Sequence, residues 1–147
     1  MSEQTRIEDQ LRENGIYAGL TTGVSMRPML RTGRDTILIS PVDGRLKRYD
    51  VPLYKRGDVY ILHRVIRVCE DGYVIRGDNC LTSERVSDEQ IVGVLSGFRR
   101  GQSYVAIDDK RYLFYAKLWV AIHPIRCIPM FLRAVAGRCY HRLFSKK

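Results

Sequence analysis

Between Arg34 and Ile107 the chain is broken so often that it has no room for a long helix. Turn signals recur at Pro41-Val42-Asp43-Gly44, Arg56-Gly57-Asp58, Glu70-Asp71-Gly72, Gly77-Asp78-Asn79 and Arg99-Arg100-Gly101-Gln102. Gly, Pro, Asn and Asp favour turns because they tolerate or preset backbone angles that other residues avoid. The runs between them are short and rich in β-branched and aromatic residues: Thr36–Ile39, Tyr49–Lys55, Val59–Val68, Tyr73–Arg76, Ile91–Phe98 and Ser103–Ile107. Such residues suit a pleated, half-buried surface. Six short strands joined by close turns predict a mainly β fold, an antiparallel coiled sheet. Pro52 is expected at an edge or a bulge, since it cannot donate to a ladder.

The flanks differ. Residues 2–14 read as a short helix that Ser2 could cap, with Ile7, Leu11 and Ile16 on one edge and Asn14-Gly15 at its end. From Lys110 onward the chain is aromatic, apolar and basic, broken at His123-Pro124 and punctuated by Arg126, Pro129, Arg133, Arg138 and Arg142. The expected organisation is an N-terminal helix (1–18), a β domain (19–108) and a basic amphipathic helical tail (109–147). Charge follows the same division. Residues 1–98 hold fourteen Lys and Arg against fourteen Asp and Glu, so the whole net charge of +9 falls on residues 99–147. A neutral body with a cationic tail implies an anionic partner for the tail, such as a lipid surface or nucleic acid; an anionic membrane surface is the expected partner, with no nucleic acid expected. Packing of the tail over the body, or against a dimer partner, is the alternative; the oligomeric state is open. No uncharged run reaches the length of a spanning helix. The N-terminal stretch lacks the basic and apolar regions of a signal peptide. A cytoplasmic protein, or one peripheral at a membrane, is expected. The cysteines at 69, 80, 127 and 139 form no C-x-x-C pair, so they read as reduced, small apolar residues. Neither a metal nor a cofactor is called for.

Three stretches carry chemistry. The first is Gly23-Val24-Ser25-Met26-Arg27-Pro28, where Gly23 and Pro28 shape a turn around a serine. The second is Ile61-Leu62-His63-Arg64-Val65-Ile66, and the third Arg76-Gly77-Asp78-Asn79. A serine hydroxyl becomes a nucleophile only when a neighbour accepts its proton, and histidine titrates in the right range without a large shift. Each stretch alone has a plainer reading: Ser25 as a turn serine, His63 as a strand packing residue and Asp78 as a turn aspartate bonding its own backbone. The face on which His63 lies is undecided by the alternation around it. His123 and His141 sit in the tail with no nucleophile motif near them in sequence.

Taken in order, GVSMRPML, LYKRGDVYILHRVI, YVIRGDNC and IVGVL resemble the type I signal peptidases and the LexA-like peptidases. The resemblance spans residues 23–94, about half of the chain. With histidine in the middle motif, it is closest to the type of the endoplasmic reticulum, archaea and spore formers. It implies the coiled antiparallel β fold of those enzymes and a serine endopeptidase that cuts a precursor or leader peptide through an acyl-enzyme. It implies Ser25 as nucleophile, His63 as base, and Asp78 or Glu84 as the supporting acid. Asp78 matches the family's Gly-Asp-Asn, whereas at Glu84 relatives often have aspartate. It further implies the Ser25 N–H as an oxyanion donor, and Met26 and Pro28 as substrate-binding residues. Arg27 departs from the glutamate common there, and an N-terminal anchor of the usual kind is not expected from residues 1–14. A LexA-type regulator would need a helix-turn-helix ahead of the peptidase and normally a lysine base. The other class of reading is a peptide-binding or membrane-surface module that keeps the fold without turnover.

Overall fold

The computed structural model describes residues 3–129, with side chains from Ile7 onward. Arg133, Arg138, Arg142, Cys139 and His141 lie outside the described residues. The architecture is mainly β: α1 (Glu3–Asn14), nine strands β1 (Tyr17–Leu20), β2 (Asp35–Ser40), β3 (Pro52–Arg56), β4 (Val59–Leu62), β5 (Arg64–Cys69), β6 (Gly72–Arg76), β7 (Glu84–Val86), β8 (Ile91–Arg100), β9 (Ser103–Ala106), and α2 (Lys110–Ala121). All strand pairings are antiparallel.

Two sheets result. The larger runs β1-β2-β8-β3-β4, and the smaller β5-β6-β7. β8 is the spine of the larger sheet. One of its edges pairs with β2, and its other edge takes β3 along Ile91–Val94 and β9 along Gly97–Arg100. The registers shift between Leu38 and Ile39, between Leu53 and Tyr54, and between Val65 and Arg67. Bulges of this kind increase twist and bend the bulged strand, which curls the sheet.

Each sheet has its own core. In the first, Ile7 and Leu11 of α1 pack with Met26, Met29 and Leu30 against Ile37, Ile39, Leu53, Leu95 and Phe98. In the second, Leu46, Tyr54, Val65, Tyr73, Ile75 and Val86 are buried together. β3 serves both, because successive side chains point to opposite faces: Leu53 enters the first core and Tyr54 the second. α1 stops at Asn14, where Gly15 (φ 65°) takes the left-handed cap and its N–H returns to the Leu11 carbonyl. α2 begins with Asp109 as N-cap, whose carboxylate accepts from the N–H groups of Arg111 and Tyr112. Its buried residues, Tyr112 and Ala116, are one turn apart. A one-residue turn at Ile122 follows, then a helical segment over residues 123–129 with Pro124 in its first turn, where a missing N–H is tolerated.

The structure departs from the sequence reading in places that bear on the site. Val59–Val68 is not one strand. It divides at His63, which lies outside both β4 and β5, because the chain leaves the large sheet there and enters the small one. Tyr49 is not in a strand but has φ 84°, with its N–H on the Val65 carbonyl, and β3 starts only at Pro52. Pro52 opens an interior strand rather than an edge strand, one residue before the register shift between Leu53 and Tyr54. At the first position of a strand, its missing N–H is tolerated. β1 and β7 were not foreseen.

Candidate active site

The serine turn is fixed from below by packing and from behind by a buried carboxylate. Met26, Met29 and Leu30 anchor it in the first core. Asp35, with none of its surface exposed, accepts from the Arg31 N–H and pairs with Arg34 and Arg100. Burial opposes its charge, but the Arg34 hydrogen bond and its other donors hold the carboxyl below the usual range. Arg100 also donates to the Met29 carbonyl (2.7 Å) and Thr21 Oγ1 to the Arg31 carbonyl (2.9 Å), which closes the base of the loop. Ser25 is left half-buried at the rim. Among the described residues its N–H and Oγ make no hydrogen bond.

The third motif holds the serine backbone from the other side. The Asn79 N–H donates to the Ser25 carbonyl at 2.7 Å, and Asn79 Nδ2 to the Val24 carbonyl at 3.3 Å. Gly77 is needed for close approach. A Cβ there would lie 2.8 Å from the Ser25 carbonyl oxygen, 3.0 Å from His63 Nε2 and 2.7 Å from Cys80 Sγ. Those three groups thus converge on one point, with Nε2 as the imidazole atom turned toward the serine turn.

His63 sits where the two sheets part, its side chain 12% exposed. Its Nδ1 is 3.4 Å from Glu84 Oε1 on β7 and 3.2 Å from the Tyr54 hydroxyl on β3. Tyr54 also donates to Glu84 Oε1 at 2.6 Å, and Arg56 Nη1 reaches Glu84 Oε2 at 3.3 Å. Burial lowers the pKa of His63, opposed by the Glu84 charge. Burial, then the bond to Glu84, raises that of Tyr54 far above the phenol range.

Asp78 is engaged elsewhere. Its two oxygens accept from Arg64 Nε and Nη2, both at 2.8 Å, and Oδ2 also accepts from the Tyr115 hydroxyl at 3.2 Å. Arg64 is fully buried, and its Nη1 donates to the Tyr49 carbonyl and to the Tyr112 hydroxyl. Burial works against its charge, yet Asp78 holds its pKa above the usual value. The Asp78 carbonyl accepts from Trp119 Nε1 (3.0 Å) and Arg126 Nη2 (2.7 Å). Asp78 therefore fastens α2 to the turn that holds Ser25. Of the two carboxylates considered from sequence, Glu84 contacts His63, and the described contacts of the Asp78 carboxylate are to Arg64 and Tyr115.

These residues head a cleft of about 940 Å³ whose lining includes Ser25, His63, Cys80 and Glu84. Leu20 to Gly23 and Val59 to Leu62 contribute to its walls, and Met26, Leu30, Ile37 and Leu53 also line it. β1 and β4, the two outermost strands of the large sheet, both contribute. Met26 reaches this cleft although it is 5% exposed, whereas Pro28 is exposed and absent from the lining. Cys69, Cys80 and Cys127 are free thiols. His123 Nε2 meets the Cys80 carbonyl at 3.0 Å, and its ring lies against Cys127 Sγ. Among the described residues no cluster of His, Cys, Asp or Glu has the form of a metal site. Tyr54 and Arg64 were missed by sequence reasoning. A strand tyrosine reads as packing, and an arginine after a histidine gives no sign that it will be buried. The chain matches no protein-family model and no curated protein.

Proposed function

We propose that this chain is a serine endopeptidase of the signal-peptidase-like type, acting on an extended segment of a precursor or leader peptide. The observation that carries this reading is that Ser25, His63 and Glu84 line one open cleft, with His63 Nε2 and the Ser25 carbonyl flanking the same point beside Gly77 and Glu84 beside Nδ1. Ser25 Oγ attacks the scissile carbonyl and gives its proton to His63 Nε2. The oxygen–carbon bond forms, and the carbon–nitrogen bond then breaks as His63 returns the proton to the leaving amine. Water, deprotonated by the same nitrogen, releases the acyl group. The unengaged Ser25 N–H is a donor for the developing oxyanion. Long nucleophile–base contacts are common before substrate binds, so the missing Oγ–Nε2 hydrogen bond is compatible with this role. An extended peptide suits the cleft, since outermost strands offer unpaired backbone groups for strand addition.

A second observation supports a peripheral membrane location. Phe114, Leu118, Ile125 and Ile128 are exposed apolar residues that recur at spacings of seven or less, with Lys110 and Arg111 just ahead of them and Lys117 among them. Apolar side chains among cations favour an anionic interface. No helix among the described residues is long and apolar enough to cross a membrane.

The test of the peptidase reading is acylation by p-nitrophenyl acetate, read by intact mass and by the burst of nitrophenolate. Wild type should take up one acetyl group that Ser25→Ala lacks and His63→Ala acquires at least a hundredfold more slowly. Folded wild-type protein without a Ser25-dependent adduct, alone and with anionic vesicles, favours a binding module that keeps the fold without turnover.

A further inference from the structure

We infer that Tyr54 is a positioning residue which sets the tautomer of His63, standing between Glu84 and the imidazole. The inference rests on the reading of His63 as base. A tyrosine hydroxyl has one proton, and an ionised carboxylate can only accept. At 2.6 Å from Glu84 Oε1, Tyr54 must therefore spend its proton on Glu84. Toward His63 Nδ1, 3.2 Å away, only its oxygen lone pair remains. Nδ1 must then carry the hydrogen, and Nε2 is left with a lone pair on the side of Ser25. That is the tautomer a general base for Ser25 requires.

Packing fixes this arrangement. Tyr54 is fully buried in the second core, and its ring lies 6.0 Å from the His63 ring. β3 carries Tyr54 and β7 carries Glu84, so the hydroxyl bridges the two sheets. Arg56 holds the other Glu84 oxygen. The direct Nδ1–Glu84 distance of 3.4 Å is longer than either bond through the hydroxyl. Glu84, Arg56 and Asp78 supply the charges that act on His63, and among the described residues only Glu84 and Tyr54 touch Nδ1. Glu84 orients the base through Tyr54.

The test is nitrogen-15 NMR of labelled protein at pH 8, reading which His63 nitrogen is protonated, alongside p-nitrophenyl acetate acylation. Wild type should show the Nδ1–H form. Tyr54→Phe keeps the ring and loses the hydroxyl, so the Nε2–H form should appear. The maximal acylation rate should fall by tenfold or more, with half-saturation unchanged. Glu84→Gln retains an oxygen to accept from Tyr54 and should remain Nδ1–H. It also keeps the test alive if Tyr54→Phe does not fold. Retention of Nδ1–H in Tyr54→Phe with an unchanged rate overturns the inference, as does loss of Nδ1–H in Glu84→Gln. A tautomer change in Tyr54→Phe without acylation of wild type upholds the positioning and removes the peptidase reading instead.

Discussion

Asp78→Asn should unfold this protein more easily without disarming Ser25. The substitution keeps size and removes charge. Arg64 is fully buried and the Asp78 side chain is 3% exposed, so the mutant would leave a guanidinium in a dry site without its counter-charge. Removing one partner of a buried pair destabilises by about 3–5 kcal/mol. The asparagine oxygen still accepts one of the two N–H bonds, which places the expected loss near the lower end, about 3 kcal/mol. With a urea slope of about 1–3 kcal/mol per molar, the midpoint should fall by roughly 1–3 M. Arg64→Met beside it should recover part of the loss, because the uncompensated charge is then gone. The double variant should be more stable than the sum of the singles predicts by about 1 kcal/mol or more. Acylation of folded Asp78→Asn should stay within a few-fold of wild type, since Asp78 bonds Arg64 and not His63. Equilibrium urea unfolding by fluorescence and circular dichroism measures the first two quantities. A midpoint shift worth less than 1 kcal/mol, or strictly additive variants, would refute the assignment of this pair as a buried, mutually dependent unit.

Two further outcomes follow from the charges. Burial depresses the pKa of His63, against the opposing pull of Glu84, so on acidification the unfolded chain takes up that proton first. The His63 contribution to stability is therefore full above about pH 6.5 and declines as pH falls through the folded value. Urea midpoints between pH 8 and pH 5 should drop more for wild type than for His63→Gln. That difference separates His63 from Asp50, whose carboxyl burial pushes up and which acts in the opposite sense; equal slopes in the two proteins would contradict it. At the tail, Phe114→Glu with Leu118→Glu should abolish co-sedimentation with anionic vesicles at unchanged fold. Binding of wild type should weaken steeply as salt rises; salt-independent binding, or binding kept by the double variant, would remove the interfacial role.

Much of the β architecture was readable because turn residues carry their reasons locally. Gly57, Gly101 and the Glu70-Asp71 pair lie at hairpins for the same backbone reasons that mark them in the sequence. Ser25 and His63, which the resemblance pairs, both line the cleft. What stayed hidden depends on long-range pairing. Asp78 and Glu84 are six residues apart, and nothing between them tells which will meet the imidazole. The choice is made by Arg64, which occupies Asp78 across the β5–β6 pair and leaves Glu84 to β3 and His63. The break at His63 was hidden for a related reason. The residues on both sides suit a strand, and only the separate partners of β4 and β5 divide them.

The Asp78 clamp also has a bearing on biosynthesis. Ser25 leaves the ribosome early, but the turn that holds its carbonyl is fastened by Tyr115, Trp119 and Arg126. His63 and Glu84 likewise meet through elements of both sheets, with Tyr54 on β3 and Glu84 on β7. A nascent or truncated chain thus presents the serine long before its surroundings exist. The surroundings of Ser25 are complete only once nearly all of the described chain has been made.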